Sequence, residues 1–160
     1  LAVSSNKKVL VVRFDRETLA GFVQMPGGLE GQRLELLQPG GSLVEVPLSE
    51  TKLVCFIRDF DGGETWREHR AFATRPKTAG LWLRFAFRDG DWLEGIAPND
   101  LLLNETAGFQ AVPPDPTFQN QRFFVPRAAL TSVQVLGVIG SPLRRRPVKK
   151  EAEGQMKMFE

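Results

Sequence analysis

Two stretches of this chain lie over one another without a gap. "VEVPLSETKLVCFI", Val44 to Ile57, matches "FFVPRAALTSVQVL", Phe123 to Leu136, setting Pro47 on Pro126 and Val54 on Val133. Upstream of each, "VLVVRFDRETLAGFVQ" and "LWLRFAFRDGDWLEGIAP" share an order: an apolar run, a polar turn, then Leu19-Ala20-Gly21-Phe22 or Leu93-Glu94-Gly95-Ile96. An internal repeat constrains a fold strongly, because both copies must make the same local structure. At about 50 to 60 residues, each copy is also marginal for a core of its own. Packed together, the two copies cover surface that each alone would expose.

The turn signals "PGG", "DGG", "RDGD" and "PPDP" separate short runs rich in Val, Leu and Phe, which is an all-β rhythm. In "KKVLVVRF", Val9, Val11 and Arg13 alternate with Leu10, Val12 and Phe14, as in a strand covered on both faces. "RETLAGFV" completes a hairpin with it. "RLELLQPGGSLVEVP" makes a second hairpin, turning at Pro39, Gly40 and Gly41. A one-turn segment follows each repeated proline ("LSET", "RAAL"), and the repeated glycine suits a strand that bends so that a small sheet can close.

Over residues 8 to 137 this pattern resembles the small barrels of the SH3-like and Sm-like type. The resemblance implies an all-β chain of two tandem small barrels, residues 7–60 and 80–140. A linker or edge strand at 61–79 joins them, with an extra strand at Arg70 to Thr74, and a disordered basic tail occupies 141–160. The chain lacks the Ile-Arg-Gly type signature of RNA-binding Sm proteins, which argues against a ring-forming RNA role.

The net charge of +2, from 21 basic and 19 acidic residues among 160, is too balanced to mark the whole chain as a nucleic-acid or membrane binder. One cysteine, Cys55, allows no internal disulfide, and one histidine, His69, makes no zinc-site spacing. No apolar stretch is long enough to span a bilayer, and "LAVSSNKKVLVV" lacks the order of a signal peptide. A cytoplasmic, non-membrane protein without metal or other cofactor is expected. Asp59, Asp61 and Glu64 in "RDFDGGE" read as turn chemistry, being too few for a calcium loop. No glycine run precedes a helix as a phosphate loop does. With no nucleophile, base and orienting group to assemble, an enzyme is not expected and no catalytic residue is named.

Two local patterns invite ligands. Trp66, Arg67, Arg70, Arg75, Lys77, Trp82 and Arg84, with Arg88 beyond, interleave aromatic and basic side chains as nucleic-acid contacts do. The competing reading is that the tryptophans are core and the arginines solubilise an edge. The R-x-x-x-R spacing of Arg84 and Arg88 is also found in PilZ receptors of cyclic dinucleotides, but the rest of that motif does not follow. Arg84 and Arg88 read more simply as one polar stripe opposite Leu83, Phe85 and Phe87.

Beyond Gly140 the character changes. "SPLRRRPVKKEAEG" has no apolar periodicity and carries Arg144, Arg145, Arg146, Lys149 and Lys150, a further basic patch for nucleic acid. Gln155-Met156-Lys157-Met158-Phe159 then resembles the motif by which bacterial polymerases and mismatch-repair proteins bind the sliding clamp, commonly at a chain end behind a flexible linker. The resemblance implies that Gln155 hydrogen-bonds at the pocket rim, that Met158 and Phe159 enter the apolar subsite, and that Met156 touches its edge. The partner is then the bacterial DNA polymerase III sliding clamp, and the chain an accessory protein of DNA replication or repair. The alternatives are a small-barrel nucleic-acid-binding protein independent of the clamp, and a ligand-sensing or structural barrel whose Met and Phe dock on its own surface. The oligomeric state stays open.

Overall fold

The computed structural model describes residues 5–15, 17–25, 32–100, 107–116 and 119–140. The peptide Gln155 to Phe159, the basic residues Arg144 to Lys150 and most of "MPGGLEGQ" lie outside the described residues.

The chain is all-β, and the repeat is visible strand by strand. The first copy comprises β1 (Ser5–Arg13), β2 (Leu19–Met25), β3 (Arg33–Leu37), β4 (Leu43–Pro47) and β5 (Thr51–Ile57). The second comprises β6 (Gly80–Phe87), β7 (Trp92–Ala97), β8 (Gly108–Ala111), β9 (Asn120–Pro126) and β10 (Leu130–Ile139). Pro47 leads into a 3-10 turn at Leu48–Glu50, and Pro126 into one at Arg127–Ala129. The prolines have nearly identical backbone angles, φ −64° and ψ 137° against φ −63° and ψ 141°. Pairing registers repeat too: Val9 faces Gly21 and Val11 faces Leu19 in β1–β2, while Leu83 faces Gly95 and Phe85 faces Leu93 in β6–β7. In both units the last strand lies beside the first and the rest follow in sequence order, the second unit's β7 reaching the end of β8 through the Ile96 to Val112 bridge.

The two copies do not stand apart. β5 pairs with β1 of its own unit and, antiparallel, with β9 of the other, giving a seven-stranded sheet in the order β4-β3-β2-β1-β5-β9-β8. Among the described residues, the three-stranded sheet β10-β6-β7 meets it at the bridge Ile96 to Val112. The two faces of the shared sheet serve different cores. Val9, Val11, Val54 and Phe56 join Leu34, Leu36 and Val46, over which the first unit curls, and Phe124 reaches in from β9. Leu10, Val12, Leu53, Cys55 and Ile57 face the other way, onto Leu83, Phe85, Phe87, Phe123 and Val125 of the second unit. Strand β5 is therefore buried at all seven positions. Its four large apolar side chains represent roughly 6 to 12 kcal/mol of gross burial, as much as the net stability of an ordinary domain.

Two local expectations were met, and the loop before β9 adds a contact of its own. The β3–β4 hairpin closes at Pro39-Gly40-Gly41 through Gln38 N–H to Ser42 O at 2.8 Å and Gly41 N–H to Gln38 O at 2.8 Å. β1 is covered on both faces from Val9 to Val12. The loop after β8 makes contacts, through Gln119, which donates to the carbonyls of Asp59 and Gly63 and accepts from Asp59 N–H at 3.1 Å. One was not: Arg70 to Thr74 forms no strand. Its backbone spends its hydrogen bonds singly, Arg70 O accepting from Glu94 N–H at 2.8 Å and Phe72 N–H donating to the Glu94 carboxylate at 3.1 Å, so no ladder forms.

The repeated glycine is a packing requirement. A Cβ at Gly21 lies 2.7 Å from the Leu37 carbonyl oxygen and 2.8 Å from the Leu36 side chain. At Gly95 it lies 2.6 Å from the Phe123 ring. Bare backbone at this point lets β2 approach β3 and lets β7 approach β9. Gly21→Ala is expected to cost about 1–3 kcal/mol, because a backbone carbonyl cannot move aside, and Gly95→Ala less, because a ring can shift. Thermal midpoints check this: Gly95→Ala should lie between wild type and Gly21→Ala.

Candidate functional site

Lys52 has no apolar reason to be where it is. A plain alternation would send it with Val54 and Phe56 into the first core. Between Val12 and Arg13 the β1–β5 register slips, so that Arg13 faces Thr51 and Val12 faces Leu53, leaving Lys52 as the extra residue of a bulge. A bulge re-aims its side chain. Lys52 thus enters the seam between the two units, 1% exposed. The second copy has the same slip, between Leu130 and Ser132, with Thr131 in the equivalent place.

In the seam, the Lys52 ammonium donates to Asp89 Oδ2 at 2.7 Å and to Asp91 Oδ2 at 2.5 Å. It lies 5.1 Å from the ring centre of Trp66, 5.3 Å from Phe87 and 5.9 Å from Phe14. Both carboxylates come from the "RDGD" turn joining β6 to β7, where Gly90 takes φ +97° and Asp91 N–H donates to Asp89 Oδ1 at 3.1 Å. Arg67 adds a bond to Asp91 at 2.8 Å, and Arg70 approaches it at 3.7 Å. The Lys52 hydrogen bond, helped by that of Arg67 and opposed by partial burial, holds the Asp91 carboxyl below its ordinary range.

A second acid organises the adjoining surface. Glu94 is buried in β7 and accepts from Trp82 Nε1 at 3.1 Å, Phe72 N–H at 3.1 Å and Arg84 Nη2 at 2.7 Å. Guanidinium and indole groups alternate from here to the seam. Arg84 lies 4.5 Å from the ring centre of Trp92, Arg70 lies 5.3 Å from the same ring, and Arg67 lies 4.5 Å from Trp66. Guanidinium groups this close over an indole ring are attracted to its face.

The sequence-predicted residues are thus brought together in part, with their chemistry largely spent. Trp66 is core, its Nε1 donating to Glu64 at 2.7 Å. Trp82, Arg84, Arg67 and Arg70 are committed to Glu94 or Asp91. Arg75 and Lys77 are exposed at the margin, Arg75 against the Val138 carbonyl at 3.4 Å. Arg88 is not on the strand with Arg84. It sits in the turn, donating to Ser49 O at 2.9 Å and Ala128 O at 2.8 Å, so it links the 3-10 turns of the two units. Asp59 accepts from Asp61 N–H as a turn does, and Glu64 is engaged by Trp66. Among the described residues no group of three or more His, Cys, Asp or Glu is placed to hold a metal, and no helix is long and apolar enough to cross a membrane. Burial, with a smaller push from the Glu64 charge, raises the Cys55 thiol far above its ordinary range, which suits a small apolar filler.

Sequence reasoning missed Lys52, Asp89, Asp91 and Glu94. A lysine inside the run "TKLVCFI" was one available signal, and "RDGD" following an apolar strand was the other. Their pairing depends on the bulge and on inter-unit packing, which no local pattern encodes.

The ion pair supports an asymmetric expectation. Asp89→Asn with Asp91→Asn leaves a buried ammonium uncompensated and should cost about 3–5 kcal/mol, whereas Lys52→Met keeps the volume and leaves part-exposed carboxylates, and should cost far less. In wild type, Asp91 binds its proton more weakly folded than unfolded. Its stabilisation is present above the unfolded value of about 3.9 and is lost as pH falls through the lower folded value. Urea midpoints measured from neutral to acid pH should fall in wild type, and less steeply in Lys52→Met.

The chain belongs to a family of unknown function (DUF6982), whose model matches residues 5–137. No curated protein and no solved structure gives a significant match.

Proposed function

We propose that this member of the family is a non-enzymatic accessory protein of bacterial DNA replication or repair, working in the cytoplasm. It docks on the DNA polymerase III sliding clamp through Gln155, Met156, Met158 and Phe159. The observation that carries this reading is the peptide itself: Gln, two intervening residues, then Met and Phe. Its apolar side chains follow a segment too polar and charged to bury them locally. The body supports it indirectly. The cationic and aromatic side chains between Trp66 and Arg84 are largely engaged with Glu64, Asp91 and Glu94, which leaves them a scaffolding role.

Burying Met156, Met158 and Phe159 yields about 1.5–3 kcal/mol each, and ordering the segment removes much of that, so binding in the micromolar range is expected. Arg144 to Lys150 then add phosphate contacts when the clamp encircles DNA, raising the effective affinity by linkage.

Titration of the full chain onto an immobilised bacterial sliding clamp tests the reading. Wild type should bind at micromolar concentration, changing little with salt, and Gln155→Ala and Phe159→Ala should each weaken binding about tenfold or more. No binding at high micromolar concentration, or variants that bind like wild type, removes the proposal. A steep fall with salt transfers the interaction to phosphate contacts.

A further inference from the structure

The β5–β9 junction is made from two strand positions that each copy possesses, and each position is used only once. The last strand of the first copy, β5, pairs with the fourth strand of the second, β9. The fourth strand of the first copy, β4, and the last strand of the second, β10, end the strand order with no further strand beside them among the described residues, and the Arg75 side chain bonds the Val138 carbonyl of β10.

The repeat fixes how those edges would meet. Val54 faces Phe124, Cys55 faces Phe123 and Phe56 faces Arg122 across the existing junction. Carried through the alignment of Val44–Ile57 with Phe123–Leu136, these pairs become Val133 with Glu45, Gln134 with Val44 and Val135 with Leu43. Leu43 is 66% exposed and Val135 59%, the two most exposed large apolar residues described. The transferred register sets one directly against the other. Cross-strand apolar pairs are the unit by which antiparallel strands recognise a partner.

β10 is also an unusual edge. It is ten residues long, "LTSVQVLGVI", and lacks the charge or proline that blunts many exposed edges, bulges at Thr131 and Leu136 being its irregularities. Its counterpart β5 is buried throughout, and the difference is what a third unit would supply. Ser132 and Gln134 stand where β5 has Leu53 and Cys55, so the surface is more polar than the internal junction. That composition suits a contact that forms and dissociates.

We infer that copies of this chain associate head to tail, β10 of one pairing antiparallel with β4 of the next in the register of the β5–β9 junction. Such an interface is heterologous and does not stop at two chains: it closes into a ring or continues as a filament. The inference is independent of clamp docking.

Sedimentation of the full chain, from low micromolar to several hundred micromolar, tests it. The mass should rise from the 17.9 kDa monomer past that of a dimer. Leu43→Lys and Val135→Lys should each raise the dissociation constant at least about tenfold, leaving monomers. Mixed in equal amounts they should form a 1:1 complex and stop, because one retains a sound β10 and the other a sound β4. Circular dichroism and melting certify that the variants fold, and Leu43→Ser and Val135→Ser replace any that do not. A wild type that stays monomeric, single variants that assemble like wild type, or a mixture that stays monomeric overturns the inference.

Discussion

The pairing of β5 with β9 is the constraint on which the rest depends. It joins two marginal units through a shared seven-stranded sheet with a core on each face, and so requires β5 to be apolar on both sides. Arg88 hydrogen-bonds both 3-10 turns, and Gln119 ties the loop before β9 to the segment after β5. These contacts brace a junction that backbone hydrogen bonds and apolar burial already make.

The charged seam follows from the same junction. A lysine is tolerated inside because the bulge delivers it to a turn of the other unit, where two carboxylates and three rings receive it. Burying one ammonium with two acids leaves negative charge in excess, and Arg67 and Arg70 answer it at the surface. The guanidinium and indole ladder is thus a consequence of placing Lys52, extended by Glu94.

Much of the fold was legible in the chain because the repeat was. Pro47 and Pro126, Gly21 and Gly95, and the "QPGG" turn carry local rules of backbone geometry and close packing, and each took its expected place. Arg70 to Thr74 misled because its residues suit an edge strand, while the buried Glu94 carboxylate captured its backbone. The seam was illegible for a related reason. Lys52, Asp89 and Asp91 are distant in sequence, and their meeting is set by a one-residue slip and by the packing of two units. The same patterns of alternation fit two separate barrels and one fused sheet equally well.

Fusion of the two units through a shared sheet is the central claim, and equilibrium unfolding tests it most directly. Trp66, Trp82 and Trp92 all lie in the connection and second unit, so their fluorescence reports that part, while far-UV circular dichroism reports strands of both units. A single urea transition, coincident by both signals, is predicted, since neither unit keeps β5 buried alone. Two separated transitions, with dichroism changing where fluorescence does not, contradict it.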